Sequence, residues 1–384
     1  MNRRASLISL ALAATILAAG CGSTASQTAT PASPATRLSL ATSLATATGT
    51  WAVAVLGGSA ASHNNFWQLF VRPAGARRWR LATPPGVASN GGLVLAGLAS
   101  GAVLAGFRPS QDLSYSPLAT TKDNGKAWTP SLLDAGLADV AGALAADPAS
   151  GRLLALLTGG TAEISGSGGT AWTRLASRHT LAASAPGRRC GLGGLTAAAF
   201  SPSGTPLLAA SCVRPRTAGI FAYADGAWHS TGPALPASYA RQSVTTLQLT
   251  TTGRTITALL AAGSESAARV LAAWSADGGT HWNLSPPLPL RGARPTSASF
   301  GPGGAVAVVM TGGHAESITS TAGSWRPLPA LPARTATLAP SPSGGWDALA
   351  VHRAKLAIWR LANGTGAWAS TQAIKIPIAF GSSG

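Results

Sequence analysis

Short runs of apolar and β-branched residues alternate with clusters of Gly, Ser, Thr and Pro along most of the chain. The stretch from Val244 to Trp282 shows the pattern plainly. Val244–Thr250 is one run, Thr251-Thr252-Gly253 a turn, and Thr255–Leu260 a second run. Gly263–Ser266 then turns the chain into Arg269–Trp274, and Ser275–Gly279 forms a tight turn ahead of Trp282. Runs of this length and composition between such clusters predict the strands of an antiparallel meander. Pro presets the turn dihedral and Gly accepts positive φ, which accounts for the hairpin segments Asp147–Gly151, Ser201–Gly204 and Ser341–Gly344.

The pattern repeats. A Trp closes a short turn at 79, 128, 172, 228, 282, 325 and 368, and a turn Gly precedes it at 49, 101, 151, 204, 253, 303 and 344. Two markers in fixed order, roughly 40–55 residues apart, match one four-stranded blade per repeat. The expected fold is all-β, a seven-bladed β-propeller of four-stranded antiparallel blades. Either Arg37–Ser43 or the tail Ala373–Phe380 is available as the strand that closes the ring.

The turn before the Trp is the most specific motif. Thr121, Asp123, Gly125 and Trp128, and likewise Ser275, Asp277, Gly279 and Trp282, fit Ser/Thr-x-Asp-x-Gly-x-x-Trp. Here the chain resembles the Asp-box, or bacterial neuraminidase repeat, β-propellers. Ser165–Trp172 keeps the frame with Ser167 in place of Asp, Ala224–Trp228 is shortened, and the other repeats keep little beyond Gly and Trp. The resemblance implies that Asp123 and Asp277 brace a hairpin between the two outer strands, away from the central funnel. A carboxylate accepting turn N–H groups does that work without catalysis.

The N-terminus changes the picture of where the domain acts. Arg3 and Arg4 precede a short apolar stretch, Leu7–Ala19, and then Ala18-Ala19-Gly20-Cys21. This is the pattern of a lipoprotein signal with lipidation at Cys21, in residues 1–21; the apolar stretch is too short to span a bilayer. Residues 22–36 are small, polar or Pro and predict a flexible tether, with the propeller over 37–384. The expected location is extracytoplasmic, lipid-anchored to the membrane. Cys190 and Cys212 are the remaining cysteines, and an oxidising compartment permits a disulfide between them.

The net charge of +17 comes mainly from Arg. Clusters stand at Arg77-Arg78-Trp79-Arg80, Arg188-Arg189, Arg214 with Arg216, and Arg291 with Arg294. The expectation is Arg scattered over solvated loops, with an electrostatic binder of anionic envelope polymers as the alternative. An exported domain is not expected to meet nucleic acid.

Candidate chemistry is thin. A sialidase-like mechanism, implied by the resemblance, needs a Tyr nucleophile, a Glu beside it, an acid/base and three Arg. The available Tyr are 115, 223 and 239, and the available Glu are 163, 265 and 316. Tyr239 alone enters a loop that approaches the funnel. No elbow, zinc or phosphate-loop string occurs, and the six His are dispersed without ligand spacing. No cofactor or metal is expected. The leading expectation is a monomeric, non-enzymatic binding or scaffolding module for a protein or glycan partner. An exo-sialidase-like glycosidase is the enzymatic alternative. Photosystem II assembly-factor and sortilin-type propellers resemble the chain at the same level of repeat, and both act by binding.

Overall fold

Each repeat folds as four consecutive strands that pair in sequence order. In the fifth, Val244–Thr252, Thr255–Ala262, Arg269–Ser275 and Asn283–Leu284 form the meander. The computed structural model describes residues 43–57, 65–84, 92–98, 100–108, 116–133, 140–147, 149–166, 169, 171–214, 217–239, 241–263, 268–290, 292–352, 354–364 and 366–377. Among these residues there are five separate four-stranded sheets and one eight-stranded sheet. In the latter, the fourth and fifth blades join through the pairs Ser211–Thr245 and Cys212–Val244.

The second strands Leu153–Leu157, Pro206–Cys212 and Val306–Met310 are buried at every position. Both faces of a blade pack against neighbours, so these strands read as continuous apolar runs rather than as alternation. Seven apolar clusters hold successive blades together. Trp51, Val53 and Leu69 of the first blade pack with Leu93, Val103 and Phe107 of the second. The third and fourth meet through Leu154, Leu156, Phe200 and Leu208, and the other sequential pairs follow suit. The seventh cluster joins Ala339, Leu349 and Ile358 of the last blade to Ala52, Leu56 and Phe70 of the first. That cluster closes a ring.

Among the described residues, closure uses no exchanged strand. Ser43–Thr46 is the inner strand of the first blade and pairs with the next strand in sequence. The tail forms Ala369–Lys375, the outer strand of the seventh blade, while residues 378–384 lie outside the described residues. In place of a strand, a buried polar group spans the seam. Asp347 is fully buried and pairs with Arg72 of the first blade and Arg360 of its own. Trp79 Nε1 donates to the same carboxylate at 2.8 Å, and Gln372 brackets the Trp79 backbone with two 2.7 Å bonds. Arg72 also donates to Thr50 Oγ1 at 3.0 Å and to the Pro340 carbonyl at 2.7 Å.

Two features depart from the strand-only expectation. Gly49 is not a turn residue but the first of a strand, where an added Cβ would stand 2.5 Å from the Arg72 carbonyl oxygen. Between the third and fourth blades lie two six-residue helices, α1 (Arg178–Ala183) and α2 (Ala185–Cys190). Local capping makes them. Ser177 and Thr180 form a reciprocal capping box, and Ser184 Oγ accepts from Gly187 N at 3.2 Å. Gly191 ends α2 with φ of 61°. Helices this short present no periodicity to read.

A four-stranded meander fixes which loops share a face. The chain enters each inner strand on one face, called here the entry face, together with the second-to-third-strand loops. The first hairpins and the third-to-outer-strand hairpins lie on the opposite, turn face. Ser43 and the α1–α2 insert therefore share the entry face.

Candidate functional site

The inner strands Ser43–Thr46, Gly92–Gly97, Ala141–Ala146, Leu192–Phe200 and Val244–Thr252 surround a central channel with a cavity of about 550 Å³. Phe300 and Pro302 of the sixth blade complete its described wall. The lining combines Leu44, Leu98 and Leu247 with Ala, Gly and Thr, and Gln248 is its largest polar side chain. None of these lining residues ionises. The inner strands of the first three blades pair on one side only, which leaves backbone N–H and C=O groups along their channel edges. Such a wall suits an uncharged ligand: apolar surface for burial, hydroxyls and backbone groups for orientation. A second cavity of about 470 Å³ opens between the sixth and seventh blades, with Arg326 its one ionisable wall residue.

The motif residues lie elsewhere, in third-to-outer-strand hairpins. Thr121 Oγ1 donates to Asp123 Oδ1 at 2.9 Å and accepts from Gly125 N at 2.8 Å. Asp123 then accepts from the Lys126 and Ala127 amides at 2.9 and 3.0 Å. The second turn repeats this chemistry: Ser275 Oγ donates to Asp277 at 2.8 Å and accepts from Gly279 N at 2.8 Å. Thr280 N and His281 N donate to Asp277, and His281 Nδ1 stands 2.6 Å from its second oxygen. Gly125 and Gly279 hold φ of 81° and 101°, a region that favours glycine. The Ala127 amide foremost holds the Asp123 carboxyl below the ordinary carboxylate range, and the His281 amide does the same for Asp277. These carboxylates are consumed by their own turns.

The Trp residues have a role that spacing alone does not reveal. Trp128 Nε1 donates to the Ala82 carbonyl at 3.0 Å, and Trp282 Nε1 to the Thr231 carbonyl at 2.6 Å. Trp325 and Trp368 reach Pro286 and Pro329 in the same way, at 2.8 and 3.1 Å. Each acceptor lies one or two residues beyond the outer strand of the preceding blade, so the indole pins one blade to the last. Trp51 adds a fully buried ring, edge-on to Trp128 with centroids 6.1 Å apart.

Residues considered for glycoside chemistry are dispersed. Tyr239 is buried in the core between the fourth and fifth blades, with the Arg269 guanidinium 6.0 Å from its ring. Tyr223 packs on Trp228, and Glu163 and Glu316 are buried on third strands. Tyr115 and Glu265 lie outside the described residues, as does Cys21. Cys190 and Cys212 form a disulfide that ties the end of α2 to the end of the second strand of blade four. Among the described residues no cluster of three His, Cys, Asp or Glu could hold a metal ion. No described helix is long and apolar enough to cross a membrane.

No family model matches the chain, and no curated protein does so either. Among solved structures, a protein from Lactobacillus plantarum aligns with a TM-score of 0.54 at 11% identity, over 86% of this chain and 97% of that one. YCF48 bound to D1 peptide aligns at 0.47 and 15%, over 84% and 90%. The SapL1 lectin in complex with alpha methyl fucoside aligns at 0.41 and 17%, over 73% and 97%. At these identities the likeness is one of fold: the chain is a β-propeller.

Proposed function

We propose that the protein is an exported lipoprotein whose propeller serves as a non-enzymatic binding module, taking an uncharged segment of a protein or glycan partner in its central channel. The observation that carries this reading is the channel wall itself, about 550 Å³ of Leu, Ala, Gly and Thr without an ionisable side chain. General acid–base or nucleophilic glycoside cleavage needs reactive groups at the bound atoms, and the described wall offers none. Two further elements belong to the same reading. The Ser/Thr-x-Asp-x-Gly-x-x-Trp turns at Asp123 and Asp277 support a place among the Asp-box propellers. Arg3, Arg4, the Leu7–Ala19 stretch and Cys21 support lipid anchoring at the outer face of a membrane.

The test uses the full chain on arrays of neutral glycans and of peptides, beside an Ala45→Phe variant. Ala45 lines the channel and is half-buried, so a Phe there fills the cavity without removing a core contact. Saturable binding to one array class, lost in the variant, is the expected result. Binding indifferent to Ala45→Phe would move the site out of the channel, and turnover of an umbelliferyl sialoside would overturn the non-enzymatic reading.

A further inference from the structure

One position of the repeat loses its bulk in a single blade. Eight residues before the marker Trp, and paired with the residue after it, stand Val71, Thr120, Ile164, Trp274 and Arg360 in five blades, and Ser317 in the sixth. The shortened hairpin of the fourth blade breaks this spacing. The position looks onto the next blade, since Val71, Ile164 and Trp274 each pack in the apolar cluster shared with it. Ser317 is the smallest of these six side chains and supplies no such body.

The consequence appears on the turn face. In three blades a first-hairpin glycine carbonyl takes a donor from the blade before. Thr48 Oγ1 reaches Gly101 at 2.5 Å, Arg152 reaches Gly204, and Trp274 Nε1 reaches Gly304 at 2.7 Å. Gly344 holds the equivalent place in the seventh blade: its hairpin is closed by Ser341 N to the Gly345 carbonyl, as that of Gly304 is by Gly301 N to the Ala305 carbonyl. Among the described residues nothing donates to the Gly344 carbonyl. Trp274 fills the junction of the fifth and sixth blades, whereas the junction of the sixth and seventh holds the cavity of about 470 Å³. That volume lies within the roughly 300–1,000 Å³ of small-molecule sites. Ser320 Oγ donates to the Gly303 carbonyl at 2.8 Å, which ties together the two sixth-blade hairpins that wall the cleft.

The wall of this cleft suits a small anion that also carries hydroxyls. Arg326, the cross-strand partner of Ser317, is exposed and forms no ion pair among the described residues. The Ser317 hydroxyl and the Asn363 carboxamide likewise have no partner there. Thr319, Thr321 and Ser341 add hydroxyls that both donate and accept, and Pro327, Pro340 and Trp346 add apolar surface. No carboxylate is among the described lining residues. Side chains alternate along a strand, so Glu316 and Asp347, each next to a lining residue, point to the opposite face. Asp347 is moreover paired with Arg72 and Arg360. One guanidinium balances one negative charge and grips a planar carboxylate through two parallel bonds, whereas a phosphate monoester brings up to about two charges. We infer that the cleft between the sixth and seventh blades binds a sugar carrying one carboxylate, of the hexuronate class. Arg326 takes the carboxylate, and the wall hydroxyls with Asn363 take the ring hydroxyls.

Isothermal titration calorimetry of the full chain with glucuronate, glucose, glucose 6-phosphate and acetate tests the site. Saturable binding of glucuronate is expected, about tenfold or more tighter than that of the other three. Glucose lacks the charge, glucose 6-phosphate carries the wrong one, and acetate lacks the hydroxyls. Arg326→Gln should weaken glucuronate binding about tenfold or more, and Arg326→Lys by less, because it keeps the charge without the fork. Lys126→Gln, exposed on the second blade, should leave it unchanged. Ser317→Trp installs the residue of the preceding blade, fills the cleft and should abolish binding. Circular dichroism melts establish folding, and Arg326→Gln, which breaks no protein contact, carries the test if Ser317→Trp fails to fold. No binding of glucuronate, equal binding of any of the other three, or unchanged affinity in Arg326→Gln or in a folded Ser317→Trp would overturn the inference. The channel is tested apart from the cleft: Ala45→Phe fills the channel alone, and loss of glucuronate binding in that variant would move the ligand out of the cleft.

Discussion

Replacing Asp347 by Ala tests whether a buried ionic latch, in place of an exchanged strand, keeps the ring shut. The carboxylate is 0% exposed and Arg72 only 4%, so its loss strands a guanidinium with no opposite charge in reach. Burial already pushes the Arg72 pKa below the ordinary arginine value, against the pull of Asp347, whereas the hydrogen bond that Arg360 donates to Asp347 raises the Arg360 pKa. Breaking one side of such a pair costs about 3–5 kcal/mol. The Trp79 indole N–H loses its 2.8 Å acceptor in the same step, a cost that overlaps with the first rather than adding to it. Set against a total stability of about 5–15 kcal/mol, the expected loss is between about a fifth and all of it. Urea unfolding followed by Trp fluorescence measures the change. Hydrogen exchange locates it, with early loss of protection in Gly49–Gly57 and Trp346–His352, the strands on either side of the seam. Arg72→Met combined with Asp347→Leu should recover most of the loss, because an apolar pair needs no partner charge. A single-variant loss under about 1 kcal/mol, or a double variant no better than Asp347→Ala, would refute the latch.

Cys190→Ser should lower stability by about 3 kcal/mol on loop-closure grounds, read from denaturation with and without reductant; a change that reductant fails to reproduce in the parent would contradict the disulfide's contribution. Acid should weaken the hairpins: the Ala127 and His281 amides depress Asp123 and Asp277, and at Asp147 hydrogen bonds led by Ser150 outweigh the opposing effect of burial. Depressed carboxylates stabilise the fold above their unfolded value near 3.8 and release that stability as pH falls through the folded values. Melting temperature against pH should therefore drop on the acid side in the parent and drop less steeply in Asp277→Asn.

What could be read from the sequence is what many blades solve in the same way. Gly-bearing hairpins recur from blade to blade, and in four blades an indole reaches the preceding one, so Trp128, Trp282, Trp325 and Trp368 recur in register and expose the architecture. The latch is needed once, and its members Arg72, Asp347 and Arg360 belong to blades at opposite ends of the chain; no local pattern joins them. The α1–α2 insert is likewise a single event, written in Ser177, Thr180 and Ser184, which elsewhere in the chain serve ordinary turns. The channel is harder still, because its Ala, Gly and Thr are also the residues that let inner strands converge around an axis. A ligand site made from packing residues leaves no chemical signature, whereas the conspicuous Asp123 and Asp277 are spent on their own hairpins. The contact between α2 and its neighbouring strand is legible only once topology is known: Arg189 and Arg214 are distant in sequence, yet the end of α2 and the end of that strand meet at one disulfide. In a chain whose repeats make the fold plain, function is best sought where the repeat is broken, and the braced insert between the third and fourth blades is such a break.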